Sequence, residues 1–124
     1  MRVVKRLLRT WLFLPALALT LSACHVDDEA ELEAFWTFDG LGCRAAGVKY
    51  VEVILEDVHG FVYESGLVRC EEGSVFFDDL PRGLYWIEAY GYPSSRSGFT
   101  WEFGRHVRLY RGYNEVTLDL VPVY

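Results

Sequence analysis

Histidine, serine and paired carboxylates are the side chains most able to do chemistry, and in this sequence none is well placed for it. His25, His59 and His106 are the three histidines, and none has the i, i+2 or i, i+4 partner that lets two imidazoles meet one Zn²⁺. Ser94, Ser95 and Ser97 lie in a polar stretch without the strained G-x-S-x-G elbow of a nucleophilic serine. Glu88 and Glu102 could form a glycosidase-like pair, but acids alternating along strands are ordinarily solvated charge. Asp78-Asp79 and Glu71-Glu72 could offer oxygens to Ca²⁺, yet they lack the D-x-D-x-D-G spacing of a dedicated loop. The expectation is a protein with no catalytic residues, no metal and no cofactor. The aromatic residues say more. In Leu84–Tyr90, inward Tyr85, Ile87 and Ala89 leave Trp86, Glu88 and Tyr90 on the opposite face, and Tyr92 continues that row. Trp and Tyr dominate binding hot spots, so the row is a candidate contact surface for a protein partner. The competing readings are that a second layer, the segment before Phe35 or a neighbouring strand covers these rings as packing, and that the protein's role is purely structural. For a glycan, Trp86 and Trp101 would stack on rings while Glu88 or Arg96 hydrogen-bond hydroxyls.

Short strands must position these residues. From Phe35 onward the apolar pattern has period two, punctuated by glycine, and no stretch favours a helix of useful length. Strands are expected at 35–38, 48–56, 61–65, 67–70, 75–78, 84–90, 99–109 and 115–120, with 91–98 as a loop. The apolar faces are Val51/Val53/Leu55, Tyr85/Ile87/Ala89 and Val116/Leu118/Leu120. Gly66 marks a break, and Pro81 with Gly83 a tight turn. About seven strands at this spacing describe one all-β domain over residues 34–124, an antiparallel Greek-key β-sandwich.

The charge is divided unevenly along the chain. All 18 acids follow Ala23, so residues 24–124 carry 8 Arg/Lys against 18 Asp/Glu, a net of −10. Such a surface repels phosphate backbones and argues against nucleic-acid binding. Arg2, Lys5, Arg6 and Arg9 precede an apolar run, Trp11–Leu21, that is shorter than the roughly 20 residues needed to cross a bilayer. The run ends in Leu21-Ser22-Ala23-Cys24, which resembles the lipobox of bacterial lipoproteins. That resemblance implies a signal peptide over 1–23, cleavage before Cys24 and acylation of Cys24, giving a membrane-anchored protein. His25 stands where an aspartate would retain a lipoprotein in the inner membrane, which favours the outer membrane. Residues 25–33 contain five acids and read, with Cys24, as an extended tether over 24–33. With Cys24 lipidated, Cys43 and Cys70 form an even pair in an exported chain and are expected to be joined by a disulfide.

Val75-Phe76-Phe77-Asp78-Asp79-Leu80-Pro81-Arg82-Gly83-Leu84-Tyr85-Trp86-Ile87 resembles the F-x-x-L-P-x-G-x-Y-x-V signature of prealbumin (transthyretin)-like sandwiches, including carboxypeptidase regulatory-like modules. The resemblance implies a seven-stranded domain in which Phe77, Leu80, Pro81, Gly83, Tyr85 and Ile87 take packing places. Trp36, Cys43, Ala46-Gly47-Val48 and Cys70 extend the likeness to lipoproteins carrying that fold. It implies no activity, because one fold hosts many functions.

Overall fold

The computed structural model describes residues 29–124. Cys24 and the segment 1–23 read as a signal peptide lie outside that range. The described residues form eight strands: β1 (Glu29–Phe38), β2 (Tyr50–Asp57), β3 (Val62–Glu64), β4 (Val68–Arg69), β5 (Ser74–Pro81), β6 (Gly83–Tyr92), β7 (Trp101–Leu109) and β8 (Gly112–Pro122). A short helix, α1 (Cys43–Ala46), follows β1, and a 3-10 turn, Cys70–Glu72, separates β4 from β5. Among the described residues no helix is long and apolar enough to cross a membrane.

Hydrogen bonds link the strands in the order β3-β2-β6-β7-β8-β1-β5, with β4 also on β2. This is one curled sheet of eight strands rather than the expected seven-stranded sandwich of separate antiparallel sheets. Two features produce the difference. β1 and β8 run parallel, from Ala30 opposite Gly112 to Phe38 opposite Leu120, and the rest of the domain serves as their crossover. β7 and β8 pair only at Trp101–Pro122 and Glu102–Val121 and then diverge, which turns the sheet over on itself. Asn114 closes the diverging hairpin. Its Oδ1 accepts from Tyr110 N at 3.0 Å, while its Nδ2 reaches the carbonyls of Tyr110 at 2.8 Å and of Glu31 at 3.0 Å.

Alternation builds the core as expected. Val51, Val53 and Leu55 from β2, Tyr85, Ile87 and Ala89 from β6, and Val116, Leu118 and Leu120 from β8 are all buried. β1 adds Ala30, Leu32, Ala34, Trp36 and Phe38. The strand therefore begins at Glu29, inside the segment read as tether: Glu29, Glu31 and Glu33 point outward while alternate small and apolar residues enter the core. Gly91, expected in the loop, is buried in β6, where a Cβ would meet Phe38, Trp101 and Val48 at 3.1–3.3 Å.

Cys43 and Cys70 are joined, with their Cα atoms 6.0 Å apart. Closing a loop of this length is worth roughly 3.5 kcal/mol in the chain-entropy account. The Gly66 break is bridged by Ser65, whose Oγ accepts from Val53 N at 2.9 Å and donates to the Gly66 carbonyl at 2.7 Å. At the Pro81–Gly83 turn, the Tyr85 hydroxyl donates to the Pro81 carbonyl, and burial pushes that phenol up to about 12.

Candidate functional site

The outer face of β2–β6–β7 carries the aromatic row. Trp86, Glu88, Tyr90 and Tyr92 alternate along β6 with buried Tyr85, Ile87, Ala89 and Gly91, and all four outer residues are half-buried. They are held mainly by one another. The Trp86 indole Nε1 and the Tyr90 hydroxyl each donate to one oxygen of Glu88, both at 2.8 Å. Tyr92 donates to Glu52 of β2 at 3.2 Å.

Neighbouring strands complete the support. His106 of β7 lies opposite Trp86, with the two rings edge to face at 4.9 Å between centroids. Gly104, opposite Glu88, leaves room for the indole to lie across β7; a Cβ there would sit 2.8 Å from Trp86 Cζ2. At the other end Phe99 packs at 4.6 Å from the Tyr90 ring and 6.2 Å from the Tyr92 ring. The row is thus braced against its own strand, its neighbours and the following loop.

Burial is the main reason that the Tyr90 hydroxyl is pushed up to about 12; the hydrogen bond to Glu88 and the charges of Glu88 and Glu102 add to it. Tyr92 is raised for the same first reason, followed by Glu52. Both phenols therefore remain protonated donors at neutral pH. Each Glu88 oxygen receives one of these protein donors and keeps a second lone pair for an incoming N–H or O–H. Beside Trp86, a shallow cleft of about 250 Å³ is walled by Glu56, Asp57, Leu84 and His106. Aromatic faces among donor-seeking carboxylates can stack on a flat apolar group and accept hydrogen bonds or cations around its rim.

Two sequence-derived candidates lie elsewhere. Trp101 belongs to the inner layer: its ring meets Phe38 edge to face at 5.5 Å, and its Nε1 donates to the Ala46 carbonyl at 3.1 Å. The reason is register, because Trp101 lies opposite inward Gly91 and must share its face. Arg96 sits in the 93–100 loop, where its backbone N–H donates to Ser94 Oγ at 3.3 Å and its side chain makes no bond to the row. Glu52, Phe99, Gly104 and His106 are the supporting residues that sequence reasoning did not assign to the site. The isolated Gly104 in an alternating strand was a usable signal of close approach.

Glu88 and Glu102 share the outer face but act separately: Glu88 is bound by Trp86 and Tyr90, whereas Glu102 lies opposite Tyr90 and is exposed. Among the described residues no group of three or more His, Cys, Asp or Glu is placed to hold a metal ion. No family model and no curated protein matches the sequence.

Proposed function

We propose that this protein is a non-enzymatic binding module of the bacterial envelope, exported and lipid-anchored through Cys24, on the outer membrane by the lean of His25. The curled sheet is a variant of the prealbumin-like architecture suggested by Val75–Ile87. Its aromatic face takes a protein partner. The observation that carries this reading is the arrangement of Trp86, Glu88 and Tyr90 as a hydrogen-bonded unit on an outer face, with the indole laid across Gly104. Pre-set rings lose little conformational entropy on binding, and Trp and Tyr supply the largest contact energies. Glu52, Glu56, Glu88 and Glu102 border the row, so a partner surface offering arginine or lysine is the best electrostatic match.

The cleft beside Trp86 supports a second reading, stacking of a sugar ring with its hydroxyls donated to Glu56 or Glu88. Retention on immobilised envelope proteins and on envelope glycans separates the two. Under the first reading Glu88→Gln and Trp86→Ala each lose protein retention while the fold persists. Under the second they lose glycan retention instead. Unchanged retention by both variants removes the surface from consideration.

A further inference from the structure

A second cleft, lined by none of the aromatic row's residues, gathers positive charge in an acidic chain. Arg44 of α1, Lys49 just before β2 and Arg69 of β4 line a cavity of about 420 Å³ together with Val48, Pro93 and the Cys43 side of the disulfide. These are three of the eight cations in residues 24–124, and Lys49 is the only lysine there. Among the described residues Glu71 is the sole carboxylate on the lining. It lies 3.4 Å from Arg69, but both side chains are largely exposed, so the pair is screened and neutralises the cleft weakly.

The backbone beneath these cations is fixed by contacts outside the regular sheet. The disulfide ties α1 to the end of β4. Val48 N donates to the Cys43 carbonyl at 3.0 Å, Cys70 N to that of Lys49 at 2.9 Å, and Lys49 N to that of Tyr92 at 2.8 Å. Two indoles hold the walls: Trp36 Nε1 donates to the Cys70 carbonyl at 3.0 Å and Trp101 Nε1 to the Ala46 carbonyl at 3.1 Å. Gly47 ends α1 at φ +72°, a left-handed turn that sends the chain directly from Arg44 to Lys49. Like charges brought together on a fixed scaffold repel one another, and a bound anion relieves that repulsion.

We infer that this cleft binds a compact, multiply charged anion carrying phosphate or carboxylate groups. Its volume suits a small molecule. The surrounding charge of −10 opposes a long polyanion such as a nucleic acid. A headgroup of the anchoring membrane is disfavoured by position. Val48 of the cleft neighbours Gly91 and Phe38, at the end of β1 opposite Glu29, so ten residues of strand, roughly 30 Å, separate the cleft from the chain's entry into the sheet.

The test is calorimetric titration of the full chain with pyrophosphate and with citrate at low ionic strength, with anionic phospholipid vesicles as a separate arm. Saturable one-site binding of pyrophosphate or citrate is expected. Lys49→Gln or Arg44→Gln should weaken it about tenfold, the loss of one charge-assisted contact. Glu71→Gln should tighten it, because the only competing carboxylate on the lining is gone. Arg111→Gln, in the β7–β8 turn, should leave it unchanged, and so should Trp86→Ala, which separates this site from the proposed partner surface. The three cations are exposed, so the variants should melt with the parent. Absence of saturable binding, equal weakening by Arg111→Gln, or binding confined to vesicles overturns the inference.

Discussion

Both faces of β6 carry aromatic rings, Tyr85 inside and Trp86, Tyr90 and Tyr92 outside, yet they are held by different means. Tyr85, Ile87 and Ala89 are buried in the core cluster that also holds residues of β1, β2 and β8, and the Tyr85 hydroxyl bonds to backbone at Pro81. Trp86, Glu88 and Tyr90 on the other side bond to one another, with only a glycine, a histidine and Phe99 bracing the rings. Core packing is secured by many neighbours and excludes water, whereas a row secured by its own hydrogen bonds keeps its outer surface available. Aromatic content alone therefore does not separate the core face from the outer face. The partners of the polar atoms do.

Substitutions on the two faces should separate accordingly. Ile87→Ala removes methylenes of a fully buried side chain and is expected to cost about 4 kcal/mol in denaturant unfolding. Replacing Cys43 and Cys70 together by alanine should cost about 3 kcal/mol by the same measurement, since the unfolded chain regains its freedom. Gly104→Val collides with the Trp86 ring; an expected loss of about 1–2 kcal/mol should accompany a shift in tryptophan emission as the indole lifts from β7. A Gly104→Val protein with unaltered stability and emission would show that the ring does not rest there.

Acid titration gives the smallest effect and concerns neither face of β6. Glu33 is held below its ordinary value, first by the Tyr113 hydroxyl at 2.6 Å and then by Ser74 Oγ at 2.8 Å. Asp119 is likewise lowered, first by Thr37 and then by the Gly40 N–H. A depressed folded-state value means that each group stabilises the fold above its unfolded value, near 4, and that this contribution disappears as pH falls through the folded value. The melting midpoint should therefore fall below about pH 4, and less so in Glu33→Gln.

The inner faces were legible because period-two alternation leaves only one register that buries the apolar set. This is why Val51/Val53/Leu55 and Val116/Leu118/Leu120 enter the core as read, and why Trp86 and Tyr90 lie outside. Alternation does not reveal which strands become neighbours. The parallel β1–β8 pair joins the two ends of the described chain, and no local pattern marks it. β1 began earlier than expected because acids at Glu29, Glu31 and Glu33 masked the small inward residues Ala30 and Ala34. Trp101 was assigned to the surface in the glycan reading because the phase of β7 depends on its pairing with Gly91. The cationic cleft was illegible for a related reason: Arg44 and Arg69 are distant in sequence and meet through the disulfide and two indole hydrogen bonds.

The central claim, that the outer face of β6 is a contact surface, is tested most directly by photo-crosslinking in living cells. A photoreactive residue would be placed at position 86 and, as a control, at exposed Thr117 on the outer face of β8. A discrete protein adduct at 86 and none at 117 is the expected result. Absence of an adduct at 86, or the same adducts at both positions, would contradict the claim.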